Sequence, residues 1–141
     1  MKQSYKLIMP QVEADLLSAK DAIVRAEALP ATKAKYIKGL AGYHLQQASE
    51  KMIKIQLYAS GQKLDYAKLY KHSLDDLIIY ANSLGIPLII PSYINKYKSV
   101  ITGWEAMGRY DVHIVVKVTQ LRNCFQVVSD WYNDMISAGY K

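Results

Sequence analysis

Arg109 and His113 stand four residues apart, a spacing that on a helix sets both side chains on one face. An imidazole in that position can take up or deliver a proton. A guanidinium beside it can stabilise negative charge building on a phosphate. This pair is the sharpest candidate for chemistry in the chain, and the chemistry would be done on a phosphate ester. The competing structural assignment has Arg109 holding helix ends together or pairing with Glu50, and leaves His113 on the surface.

Glu50, Lys51 and Lys54 come next. Glu50 and Lys54 are four apart, so they suit an exposed ion pair of about 0.3–0.5 kcal/mol. Lys51 or Lys54 could meet a phosphate, but the favoured expectation is a solvated helix face or a carboxylate bridging helices. His72 precedes Ser73 and Asp75 at a helix start. Ser73 or the nearby backbone could cap that turn, and Asp75 and Asp76 suit its positive end, so a structural role is expected ahead of catalysis. His44, His72 and His113 show no paired-ligand spacing, so no metal site is expected. No Gly-rich phosphate loop, nucleophile elbow or zinc-finger spacing occurs, and no cofactor is implied. Cys124 adjoins Phe125 of an apolar stripe and reads as packing. The stretches KLDYAKLYKH (63–72) and YINKYK (93–98) interleave Lys with Tyr, as single-strand binders do. With 12 Tyr in the chain, packing at bundle interfaces is the more economical account of that pattern.

These residues must be positioned by a chain of 141 residues, a length suited to one domain. Apolar residues make up 51% and charged residues 21%, so a core can form and wholesale disorder is excluded. Seven Gly and four Pro are too few for an all-β or loop-rich design. The net charge of +6 and pI near 9.3 favour anionic partners. One cysteine excludes an intramolecular disulfide and suits a reducing, cytoplasmic compartment. No signal peptide is visible from Met1 to Lys20. The stretch from Leu77 to Asn95 carries no charge, but Gly85, Pro87 and Pro91 interrupt it. It reads as a buried connection between helices, and no membrane role follows.

Helical periodicity dominates. Val12, Leu16, Ala19, Ile23 and Ala26 predict a first helix over roughly 10–28, ended by Leu29-Pro30, with Thr32 as the N-cap of the next. Leu45, Ala48, Met52, Ile55 and Ala59 predict a second over 33–60, closed by Gly61. Leu74, Leu77, Ile78, Ala81 and Leu84 place a third over 64–84, with Gly85 past its end. Ile94, Tyr97, Ile101 and Trp104 mark a fourth over 91–107, begun by Pro91. Val118, Leu121, Phe125, Val128, Tyr132 and Met135 carry the last to about 137. HIVVKVT (113–119) is rich in β-branched residues, yet a lone strand has nothing to pair with. The segment is therefore assigned to the start of the last helix. The architecture expected is all-α, a single antiparallel bundle of about five helices spanning 1–141.

Three segments resemble the HEPN domains, small helical bundles found largely in prokaryotes. YHLQQASEKMIKIQLYASG (43–61) is close to that family's Gln-Ala, one residue, Glu-Lys, two residues, Lys pattern. KHSLDDL (71–77) is similar to its His-polar-Leu helix start, and GRYD (108–111) to its Arg-Tyr-Pro, with Asp111 in place of Pro. Together they span about 43 to 111. The resemblance implies a range of functions. Some HEPN domains are metal-independent ribonucleases, often toxins, using an Arg, four to six residues, then a His. Others bind nucleotides or work beside a nucleotidyltransferase partner, and many of the Arg-Tyr type have no assigned activity. This chain has only three residues between Arg109 and His113, and Tyr110 sits where the nuclease motif has a small polar residue. Arg122-Asn123 looks like a nuclease start, but no His completes it.

The first expectation is an accessory domain binding a nucleotide, RNA or a nucleotidyltransferase-type partner. Its candidate residues are Glu50, Lys51, Lys54, His72, Tyr110 and Asp111. The second is a toxin-like ribonuclease in which His113 would activate the 2′-hydroxyl or protonate the leaving oxygen, and Arg109 would stabilise the phosphate. The third is a homodimerisation module whose C₂ axis brings two Arg109 sites together.

Overall fold

The computed structural model describes residues 7–109 and 116–141, and at positions 107–109 it describes the backbone alone. Six helices follow one another among the described residues, which include no strand: α1 Ile8–Ala28, α2 Ala31–Ala59, α3 Tyr66–Leu69, α4 Leu74–Ser83, α5 Ser92–Arg109 and α6 Val118–Ser137. The arrangement is a helical bundle. No helix among the described residues is long and apolar enough to cross a membrane.

Each boundary has a local cause. The stripe of α1 is buried at all five expected positions, and the helix stops where Leu29, ahead of Pro30, turns extended. Pro30, not Thr32, then starts α2. Its carbonyl accepts from the N–H groups of Lys33 (3.0 Å) and Ala34 (2.9 Å), and its fixed φ begins the helix two residues sooner than a threonine cap would. Gly61, at φ 73°, takes the left-handed position past the end of α2.

The single helix expected over 64–84 is in fact two. Asp65 accepts from Ala67 N at 3.0 Å and starts α3, while Ser73 accepts from Asp76 N at 3.3 Å and starts α4. Two capping residues eight positions apart divide the segment, because each satisfies the first-turn donors of its own helix. Gly85 at φ 70° closes α4, with Ile86 N donating to Ala81 O at 3.0 Å.

The connection that follows is buried only in part. Ile86 points into the core, but Ile89 is exposed. The Ile89 backbone is held instead by polar groups. Gln56 Oε1 accepts from its N–H at 2.6 Å, and Gln56 Nε2 and Trp131 Nε1 donate to its carbonyl at 2.9 and 2.7 Å. Pro91 precedes α5 as expected, its carbonyl accepting from Asn95 N. The last helix starts later than expected. Lys117 is extended, at φ −82° and ψ 142°, and its carbonyl receives the N–H groups of Gln120 and Leu121. Residues 113–115 of the β-branched run lie outside the described residues.

The core surrounds α2, which packs against α1, α4, α5 and α6. Between Leu45 and Leu57 it buries residues on nearly every side. Gly42 lets α5 approach: a Cβ there would stand 3.1 Å from Cβ and Cγ of Trp104. One hydrophobic cluster joins residues of every helix, with Trp104 and Trp131 as its largest buried side chains.

Candidate functional site

Gln46, Glu50, Lys54 and Tyr58 follow one another at four-residue steps along one side of α2. The turn between α3 and α4 folds across that row. His72 Nδ1 lies 3.0 Å from Glu50 Oε1, and Lys54 Nζ donates to Glu50 Oε2 at 3.1 Å. Gln46 Nε2 donates both to Glu50 Oε1 at 3.1 Å and to the carbonyl of His72 at 2.8 Å, so one amide fixes the carboxylate and the loop together. Gln47 Nε2 in turn donates to Gln46 Oε1 at 2.7 Å.

Glu50 is buried. Of the two structural expectations for Glu50 the solvated face is corrected and the bridging carboxylate is met: its described partners are Lys54, His72 and Gln46. The reason is tertiary, since residues 70–73 cover a side of α2 that periodicity alone would leave wet. A carboxylate only accepts, so Nδ1 of His72 carries the hydrogen and Nε2 is its remaining ring nitrogen. With 47% of its side chain exposed, His72 is open to solvent.

Lys51 belongs to a different cluster. It donates to Asp15 Oδ2 at 2.7 Å, and His44 Nδ1 lies 2.9 Å from Asp15 Oδ1, so the group ties α1 to α2. Asp15 belongs to no motif, and His44 has no metal-ligand spacing that would mark it in the sequence. The signal for Asp15 was present: it lies between Val12, Leu16 and Ala19, an acid on the apolar stripe of α1, and such a position needs buried partners.

Burial first, and then Tyr70 and Tyr66, push the Tyr58 phenol above its ordinary range. Tyr66 and Tyr70 are exposed. Ser73 acts as the cap expected, and Asp75 Oδ2 accepts from Ser99 Oγ at 2.8 Å, joining α4 to α5.

Arg109 ends α5, and its side chain is not among the described atoms. Tyr110, Asp111 and His113 lie outside the described residues. Arg122 pairs with Glu27 at 2.7 Å on the surface. Cys124 is buried, and its thiol is pushed up to about 12 by loss of solvent, so it stays protonated as a packing group. Among the described residues no three or more His, Cys, Asp or Glu side chains are grouped to hold a metal. No family model, no curated protein and no solved structure matches this chain.

Proposed function

We propose that the chain is a HEPN-like antiparallel helical domain that binds single-stranded RNA along the α2 edge without cutting it. The observation that supports this reading most directly is the Glu50 carboxylate shared between Lys54 and the exposed His72, in a chain segment that also carries the exposed Tyr66 and Tyr70. Glu50 and Lys54 cancel each other's charge. His72, with 47% of its side chain exposed, adds a hydrogen-bonding ring beside them. Exposed Lys71 adjoins it, and Tyr66 and Tyr70 offer ring faces a few residues away. A cationic track beside stacking rings is what an unpaired strand requires, and the overall charge of +6 supports its approach. Accessory work beside a nucleotidyltransferase and pairing of two copies belong to the same reading.

The test is fluorescence anisotropy of a labelled single-stranded RNA in EDTA, with electrophoresis of the same samples. Binding that weakens as salt rises is expected, with the RNA left intact. His72→Ala and Tyr70→Ala should each weaken it severalfold. Absence of binding at low salt, or unchanged binding in both variants, would overturn the proposal. Cleavage that disappears in both Arg109→Ala and His113→Ala would replace it with a metal-independent nuclease.

A further inference from the structure

A second region carries an inference independent of the α2 edge. The N-terminal half of α5 and the start of α6 enclose an open cleft of about 390 Å³, lined by Tyr93, Tyr97, Lys117, Thr119, Gln120 and Asn123. That volume is within the range of sites that hold small organic ligands. Tyr93 and Tyr97 form one wall, with ring centroids 4.7 Å apart and planes tilted by 49°. Tyr97 is also where α5 departs from helical geometry, at φ −106° and ψ 15°. Such a break within a helix re-aims the side chain it carries.

Two side-chain amides, Gln120 and Asn123, also line the cleft, each able to donate and accept. None of the six lining residues is acidic. Lys117 supplies positive charge at the wall, and Lys96 sits 5.2 Å from the centroid of the Tyr97 ring. Burial, then Cys124 and Tyr97, raises the Tyr93 phenol above its ordinary range. Among the described lining residues none carries a negative charge at neutral pH to repel an anion.

We propose that this cleft is a mononucleotide site, taking the heterocycle against Tyr93 and Tyr97 and the phosphate beside Lys117. Stacking on a tyrosine face suits any base. The two amides can meet the polar edge of a base, and a described lining with Lys117 and no carboxylate favours an anionic tail. A free aromatic compound without phosphate uses only half of this lining, and inorganic pyrophosphate only the other half.

The experiment is calorimetric titration of the full chain with AMP, with adenosine and pyrophosphate as separate arms. AMP is expected to bind one per chain, and more tightly than either arm. Tyr97→Ala should weaken it by about tenfold or more. Lys117→Glu and Asn123→Ala change exposed positions, so they keep the fold intact and should each weaken AMP severalfold. His72→Ala should leave AMP binding unchanged, which separates this site from the RNA-binding edge. No heat with AMP at millimolar concentration would overturn the proposal. So would wild-type affinity in both Tyr97→Ala and Lys117→Glu, or pyrophosphate binding as tightly as AMP.

Discussion

Two clusters on α2 are built from the same parts and do different work. In each, one oxygen of a carboxylate meets an imidazole Nδ1 and the other takes a lysine ammonium: Asp15 with His44 and Lys51, and Glu50 with His72 and Lys54. The first spans the α1–α2 seam, its members 29 and 36 residues from Asp15 in sequence. Its imidazole is mostly enclosed. The second is half local, since Gln46, Glu50 and Lys54 all stand on one helix, and only His72 arrives from elsewhere. Its imidazole is the more exposed of the two, at 47% against 22%. The same chemistry therefore acts as a staple where both helices cover it, and as a presented side chain where a loop tip carries the histidine.

The largest effect is expected from Glu50→Ala. It strands Lys54, which is largely covered, and removes the acceptor of both Gln46 and His72. It should cost about 3 kcal/mol in urea unfolding. Asp15→Ala should cost less, about 2 kcal/mol, because Lys51 and His44 can both turn toward solvent once released. The reverse order would show that the seam, not the edge, holds the more desolvated charge. His44→Ala removes one wall of the staple and should cost about 1 kcal/mol by the same measurement. His72→Ala should be smallest, under about 0.5 kcal/mol, while weakening RNA severalfold. Equal stability losses for the two histidine variants would erase the distinction. A loss of RNA affinity confined to His72→Ala would sharpen it.

Much of the frame was legible in the residues. Every stripe position of α1 is buried, and Ser73, Gly61, Gly85 and Pro91 sit at the helix ends they signalled. These features are local: a cap needs only the first turn beside it, and an apolar stripe needs only a period. The misjudged places are those where a second element arrives. Glu50 and Lys54 match a solvated pair in spacing, but α2 has few wet sides between Leu45 and Leu57, because four other helices and the 70–73 turn surround it. The helix expected over 64–84 broke at 70–73, where Ser73 caps a new helix and His72 is held by Glu50 and, through its carbonyl, by Gln46, both more than twenty residues away. In the connection after α4, Ile89 turned outward because Gln56 and Trp131, 33 and 42 residues away, claim its backbone.

By itself, then, the sequence determined an all-helical chain with its apolar faces and most of its stops, since periodicity and capping are fixed by neighbours within a few residues. Only the tertiary structure decided which charges are buried and whom they meet. Spacing along a helix places Glu50 beside Lys54, but burial depends on what packs over them, and contacts such as Asp15 with Lys51 or His72 with Glu50 exist only once distant segments are brought together.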